Sequence, residues 1–232
     1  MNAAVDSAAQ APAIRIPELR LRELGLQDYE PVWRDMQAYT QVRDSGSPDQ
    51  LWLLQHRPIY TLGLNGRTEN LVQTGDIPVA RVDRGGQVTY HAPGQLVAYV
   101  LYDLARAGLG VRDLVRRLEG AVIDTLGHWD IAAVGREDAP GVYVEGAKIA
   151  ALGLRVRRGR CYHGLSLNVA MDLAPFAGIH PCGHRGLAVT QVRDLGGPSD
   201  LTLIGSRLSQ ALAERLGCRL TPFEGAVAGR PH

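Results

Sequence analysis

Apolar side chains recur along this chain at two spacings, and each spacing predicts its own kind of element. Tyr29, Val32, Trp33, Met36 and Tyr39 repeat at helical intervals and predict a helix that ends before Ser45-Gly46-Ser47-Pro48. Val111, Leu114, Val115, Leu118, Val122, Leu126 and Trp129 make the stripe of a second helix, with Arg112, Asp113, Arg116, Arg117 and Glu119 largely outside it. A third is expected over Asp200–Leu216, with Ser199 as its N-cap and Gly217 just past its end. Leu51–Leu54 reads as a buried strand, and Val88–Tyr90 and Leu96–Leu101 as strands around the turn Ala92-Pro93-Gly94.

The sharpest two-residue alternation lies between Lys148 and Val169. Ala150, Leu152, Leu154 and Val156 alternate with Ala151, Gly153, Arg155 and Arg157. After Arg158-Gly159, the set Cys161, His163, Leu165, Leu167 and Val169 alternates with Tyr162, Gly164, Ser166 and Asn168. A two-residue turn at Arg158-Gly159 pairs Leu154 with His163, Leu152 with Leu165, Ala150 with Leu167 and Lys148 with Val169. Both apolar sets then share one face, as a half-buried hairpin requires. This register puts Lys148 on the apolar face, where desolvation would ready an amine for proton transfer. Gly153 and Gly164 leave bare backbone on the opposite face, open to close approach by a ligand. Only a bulge or twist near Gly146 would bring the lysine and the bare strip together.

Strands mixed with three separated helices predict a single α/β (α+β) domain. Its expected limits are residues 18–220, between a loose Ala- and Pro-containing N-terminal tail, 1–17, and a C-terminal tail, 221–232. At 232 residues the chain is long enough for one proper core. A net charge of +1 gives no global attraction to nucleic acid or an anionic membrane, so neither is an expected partner. No apolar run approaches a bilayer span, and residues 1–13 lack the basic and apolar regions of a signal peptide. Three widely spaced cysteines, Cys161, Cys182 and Cys218, then read as reduced thiols in a cytoplasmic protein.

One compositional fact changes this picture. Of 25 basic residues, Lys148 is the sole lysine, and all the others are arginine. Only an ammonium gives up its proton readily near neutral pH. A titratable amine kept for chemistry and a codon bias with one survivor both explain the count. Cys182 stands out among the thiols because Pro181 and Gly183 force an irregular backbone and His180 and His184 flank it. Nearby cations favour the nucleophilic thiolate. Cys161, on the hairpin's apolar face, and Cys218, after a helix, read as inert packing thiols. His180, Cys182, His184, His163 and His91 lack any paired metal-ligand spacing, so no metal is expected. Arg84-Gly85-Gly86-Gln87-Val88-Thr89-Tyr90-His91 is a paired-glycine turn entering a strand. Its spacing fits a ligand-binding backbone or a plain connection, but no phosphate loop. Arg155, Arg157, Arg158 and Arg160, with Arg185, gather charge at the hairpin tip, as a solvated turn or as a dock for an acidic partner.

Taken in order, Arg84 to His91, Gly146-Ala147-Lys148-Ile149-Ala150, His163-Gly164-Leu165-Ser166-Leu167-Asn168-Val169 and Pro181-Cys182-Gly183 closely resemble the lipoyl(octanoyl) transferases of lipoate biosynthesis. The similarity runs from about Tyr29 to Leu216. It implies a mixed β-sheet flanked by helices, like the catalytic domains of biotin and lipoate protein ligases. It implies too that Cys182 takes an octanoyl group from octanoyl-acyl carrier protein as a thioester. The acceptors would be lysines on lipoyl domains of 2-oxoacid dehydrogenase E2 subunits and on the glycine cleavage H protein. Lys148 matches the family's catalytic lysine, which lowers the cysteine pKa and shuttles the proton. Arg84 to His91, Ala151-Leu152-Gly153 and Gly164-Leu165-Ser166 match its substrate-binding stretches, although many relatives have a small apolar residue at Ser166. No cofactor is implied, since thioester exchange is roughly isoenergetic and amide formation runs downhill. An ATP-dependent lipoate or biotin ligase, a cysteine thioesterase and a non-catalytic acyl-carrier binding protein are the alternatives.

Overall fold

A computed structural model of the protein describes residues 16–180 and 187–223. Among these, the order is β1 (Glu18–Gln27), α1 (Tyr29–Val42), β2 (Asp49–His56), β3 (Ile59–Leu62), β4 (Val79–Arg81), β5 (Val88–His91), β6 (Gln95–Asp103), α2 (Leu104–Ala107) and α3 (Val111–Gly127). Then come β7 (Val134–Gly135), β8 (Gly141–Val144), β9 (Ala147–Arg157), β10 (Arg160–Asn168), α4 (Leu201–Leu216) and β11 (Arg219–Pro222). The main sheet has the order β11-β1-β2-β6-β10-β9-β8-β7, and a small sheet has the order β4-β3-β5. In the main sheet β1 pairs in parallel with β2 and β11 and all other pairs are antiparallel, whereas in the small sheet β3 pairs in parallel with β4 and antiparallel with β5.

Period-two side-chain placement explains the layering. In β6, Leu96, Ala98 and Val100 face α3 and α4, while Val97, Tyr99 and Leu101 face α1. β2 divides likewise, Leu51 and Leu53 to one side and Trp52 and Leu54 to the other. Both faces of these strands are covered, which is why their sequences are almost continuously apolar. Leu114, Leu118, Val122 and Leu126 of α3 are fully buried in the larger core, as their spacing predicts. A third cluster, with Tyr60, Tyr90 and Phe176, fills the space under the small sheet.

The expected single domain, a mixed sheet flanked by helices, is what the structure shows. The cap of α4 is Asp200 rather than Ser199: its carboxylate accepts from the amides of Thr202 at 2.8 Å and Leu203 at 3.2 Å. Gly217 closes that helix at φ +67°, as expected. α3 stops at Gly127, two residues short of the expected end at Trp129. Beyond the expected elements the structure adds β1, β3, β4, α2, β7, β8 and β11. Pairing in β11 reaches Pro222, past the expected edge at 220. Residues 1–15 and 224–232 of the expected tails lie outside the described residues. Among the described residues, no helix is long and apolar enough to cross a membrane.

Candidate active site

The β9–β10 hairpin floors the one cleft that gathers most of the candidate residues. Its observed register pairs His163 with Leu154, Gly164 with Gly153, Leu165 with Leu152 and Leu167 with Ala150, as the alternation predicts. Arg158 at φ +50° and Gly159 at φ +75° make the two-residue turn, both in the left-handed region. The expected pairing of Lys148 with Val169 does not occur. Instead β8 pairs Val142 with Ala150 and Tyr143 with Lys148, so Ile149 is an extra, bulged residue. That bulge reverses the alternation. Ile149 and Ala150 both enter the core, and Lys148 turns away from the apolar face toward the cleft that Gly153 and Ser166 also line.

Lys148 is only 5 % exposed. Its Nζ donates to the Pro140 carbonyl at 3.4 Å and stands 5.2 Å from the centre of the Tyr143 ring. A side chain at Gly141 would meet Lys148 Cε at 3.0 Å and the Ala150 carbonyl at 2.9 Å, so glycine is required beside the amine. Behind it, Glu119 of α3 accepts from the Gly141 amide at 2.8 Å. Burial raises the pKa of Glu119, with that amide and Lys148 pulling the other way. The main chain of Lys148 is clasped as well, its N–H donating to the Ala188 carbonyl at 2.8 Å and its carbonyl accepting from the Thr190 amide at 3.0 Å.

The paired-glycine turn folds over the hairpin. Arg84 anchors it through Nη2 to the Thr61 carbonyl at 2.6 Å and through Nε to Thr61 Oγ1 at 3.1 Å. The Gly85 amide donates to the Leu154 carbonyl at 2.8 Å. A Cβ on Gly153 would come within 2.9 Å of the Gly85 carbonyl, and one on Gly164 would run into the Ala98 carbonyl. Much of the glycine strip therefore admits the protein's own backbone, not a ligand. Arg84, Gly86, Gln87, Val88, Thr89 and His91 line the cleft, as do Ala151, Leu152, Gly153, Gly164, Leu165 and Ser166. Gly85 and Tyr90 do not: Gly85 packs on Leu154, and Tyr90 turns under the small sheet against Tyr60 and Phe176. The cleft measures about 790 Å³ counted out to its mouth.

Several lining groups were not expected as site residues from the sequence. Tyr29, Gln95, Tyr99 and Asn168 enter the cleft from α1, β6 and β10. A relay of side chains runs from His91 Nδ1 to Gln95 Oε1 at 2.7 Å, from Gln95 Nε2 to Asn168 Oδ1 at 2.9 Å, and from Asn168 Nδ2 to the Thr190 carbonyl at 3.0 Å. His56 Nε2 meets Tyr99 Oη at 2.7 Å. Burial pushes His56 down to about 4 and, with His56 nearby, His91 down to about 3, so both rings are neutral at pH 7. At the end away from Lys148, Asp83 accepts from Trp33 Nε1 at 2.7 Å, His163 Nε2 at 3.1 Å and the Tyr162 hydroxyl. Burial alone would raise Asp83, but these hydrogen bonds together outweigh it and hold the carboxyl well below the usual range. His163 sits at φ +62°, an uncommon conformation for a strand residue with a side chain.

Arg157 and Arg158 are exposed at the hairpin tip, Arg157 lying 4.0 Å from Asp83 and Arg160 lying 3.7 Å from Asp103. Cys161 is buried, its thiol pushed up to about 12 by burial, and half-buried Cys218 is pushed up to about 11 in the same way. Pro181, Cys182, Gly183, His184 and Arg185 lie outside the described residues. Among the described residues, no three His, Cys, Asp or Glu side chains converge as a metal site.

A mixed sheet with helices on both faces and a cleft floored by one hairpin is the fold that lipoate and biotin protein ligases also have. The bi-partite lipoate protein ligase of Thermoplasma acidophilum has this fold at TM-score 0.72 and 19% identity, over 89% of this chain and 88% of that one. The biotin protein ligase of Aquifex aeolicus superposes at TM-score 0.52 and 13% identity, over 85% and 70%. Residues 28–213 match the lipoyl protein ligase A/B catalytic domain. The octanoyltransferase of Xanthomonas campestris pv. campestris (strain B100) is 55% identical over 222 residues, 96% of this chain and 95% of its own. That of Xylella fastidiosa (strain 9a5c) is 54% identical over 225 residues, 97% and 98%. The chain belongs to the lipoyl protein ligase A/B catalytic domain family, and within it to the octanoyltransferases.

Proposed function

We propose that the protein moves an octanoyl group from octanoyl-acyl carrier protein, through a thioester on Cys182, to a lysine of lipoyl domains in the cytoplasm. The observation that carries this reading is the clasp between Lys148 and the stretch just past Cys182. Lys148 is bonded through its main chain to Ala188 and Thr190, while its amine stays buried in the cleft. On the other side, the His180 amide donates to the Asn70 carbonyl at 2.9 Å. Cys182 follows His180 by two positions in the sequence.

In the first step the Cys182 sulfur attacks the donor thioester carbonyl, and the carrier thiol leaves with the proton that Lys148 holds. In the second, the acceptor amine attacks the enzyme thioester, its proton passes to Lys148, and the Cys182 thiolate is released. A covalent intermediate of this kind gives ping-pong kinetics. Burying the tail of an octanoyl group at ~0.8 kcal/mol for each of about seven carbons gives at most about 5.6 kcal/mol. That is enough to reject short acids, but not a chain one methylene different. Acceptors of the proposed class are the lipoyl domains of 2-oxoacid dehydrogenase E2 subunits and the glycine cleavage H protein. The exposed arginines of the hairpin tip would meet an acidic carrier. Replacing Arg157 and Arg158 with alanine should raise the apparent KM for the carrier and flatten its salt dependence.

Intact-mass analysis tests the proposal. Mixing the protein with octanoyl-acyl carrier protein should add one octanoyl group at Cys182, lost in Cys182→Ser, and the adduct should pass to a lipoyl domain. Modification of the lipoyl domain by ATP and free octanoate without a carrier would favour a ligase instead. Release of free octanoate at the rate of transfer would favour a thioesterase.

A further inference from the structure

Of the charged residues expected outside the stripe of α3, Arg112, Asp113, Arg116, Arg117 and Glu119, only Glu119 is buried, at 8 % exposure. A buried carboxylate is costly unless something answers its charge. Arg116 and Arg136, which share an outer groove with it, are engaged by Glu137 at 3.5 Å and Asp138 at 2.7 Å. Glu119 instead holds the peptide between Pro140 and Gly141.

That one peptide carries two bonds. Its N–H, on Gly141, donates to Glu119 Oε1 at 2.8 Å, and its carbonyl, on Pro140, accepts from Lys148 Nζ at 3.4 Å. The N–H and C=O of a trans peptide point opposite ways, so the carboxylate and the amine stand on its two sides. Hydrogen bonds in such a chain polarise one another, and a carbonyl whose own amide is bonded to a charge becomes the better acceptor. Burial pushes Glu119 up, while the Gly141 amide, Lys148 and Arg116 pull it back, so the lysine and the carboxylate feel each other.

The surroundings fix the bridge from several directions. Gly141 sits at φ +147°, and a Cβ there would meet the Ala150 carbonyl at 2.9 Å. The preceding peptide is tied by the Tyr143 hydroxyl, which donates to the Ala139 carbonyl at 2.8 Å. Behind the carboxylate, a Cβ on Gly135 would come within 3.2 Å of Glu119 Oε2. Pro140 lines both the cleft and the outer groove, so this peptide is the wall between them.

We propose that Glu119 is a positioning residue for Lys148: through the Pro140–Gly141 peptide its carboxylate draws the amine to one wall of the cleft and keeps it there. Glu119 acts only through the lysine. The hold is independent of what the cleft binds, whereas its use in acyl transfer rests on the reading given above.

Nuclear magnetic resonance on the full chain tests the hold. Lysine isotopically labelled at Cε gives a single side-chain signal, because Lys148 is the sole lysine. A held amine keeps the two hydrogens on Cε distinct in shift, and a freely turning one averages them. Glu119→Gln preserves shape and an acceptor oxygen but drops the charge, and Glu119→Met drops both. We expect two shifts in the wild type, with their separation shrinking at least twofold in both variants. Alongside, kcat for octanoyl transfer should fall by about tenfold, part of the loss expected for removing an acid–base group outright, with KM for the carrier unchanged. Folding is checked by urea denaturation. An unchanged separation in Glu119→Gln, or in Glu119→Met if only that variant folds, overturns the proposal, as does a rise in KM with kcat intact. Octanoyl transfer by the wild type is measured separately. Its absence together with a shrunken separation removes the transferase reading and leaves the hold on Lys148 standing. Successful transfer with an unchanged separation removes the hold alone.

Discussion

Lys148→Arg tests whether the proposed proton transfer at position 148 needs an amine. Every other basic side chain in the protein is already arginine, so the variant brings in no new kind of group. The bonds from Lys148 N to the Ala188 carbonyl and from Thr190 N to the Lys148 carbonyl involve main chain only and survive it. A guanidinium stays protonated above pH 12 and cannot shuttle. Loss of a positioned acid–base group costs about 10²- to 10⁴-fold in rate, or about 2.7–5.4 kcal/mol of barrier at 1.36 kcal/mol per decade. The larger head must also fit beside Gly141, whose missing Cβ already leaves only 3.0 Å to Lys148 Cε. Overpacking of this kind costs about 1–3 kcal/mol, so folding is measured by urea denaturation on the same preparation. The assay is single-turnover transfer from octanoyl-acyl carrier protein, with enzyme adduct and lipoylated product quantified by intact mass. Both steps should slow by the stated factor. A folded variant within tenfold of wild type would show that charge, not proton release, is what position 148 supplies.

Acidification should weaken the fold through its neutral histidines. Burial holds His56 at about 4 and His91 at about 3 in the folded protein, against 6.5 for an ordinary imidazole. Between pH 6.5 and 4 the unfolded chain binds more protons, so stability is full above 6.5 and drains as pH falls, by about 2 kcal/mol per ring at pH 5. Urea titrations at pH 7 and pH 5 measure this, and His56→Gln should make the loss visibly shallower. Gly153→Ala should destabilise by about 1–3 kcal/mol, because the Gly85 carbonyl in its way is tied down by the Leu154 bond. An unchanged denaturation midpoint would contradict that packing. Asp200→Ala should remove about 1 kcal/mol by uncapping α4 while leaving acyl transfer untouched, since the cap is remote from the cleft.

Where local pattern and global fold agree, the chain could be read directly. The hairpin register followed from strict alternation on both strands and a turn whose two residues adopt left-handed backbone. α3 followed from a stripe that points into the larger core, and α1 from one that points into the cluster on the other face of the sheet. Lys148 was conspicuous as the only amine side chain. The bulge at Ile149 was not legible, because Ala147-Lys148-Ile149-Ala150 alternates no differently from a regular strand; it exists only in relation to β8. Asp83 and His163, 80 positions apart, gave no hint of meeting. β1 does carry an alternation, Leu19 and Leu21 among charges, but it breaks at the shift between Glu23 and Gly25, where the extra residue spoils the period. The glycines at 153 and 164 were expected to let a ligand approach the backbone. What approaches most closely is this protein's own main chain.

The parallel pairing of β1 with β11 has a consequence for how the molecule is made. Glu18 to Leu21 lie beside Arg219 to Pro222, so the earlier segment waits for all of the intervening chain before its outer edge is covered. During that interval β2 can hold β1 from one side only. On the ribosome, and in any protein cut short before residue 219, the uncovered flank of β1 is an open row of amides and carbonyls, ready to recruit a neighbouring chain.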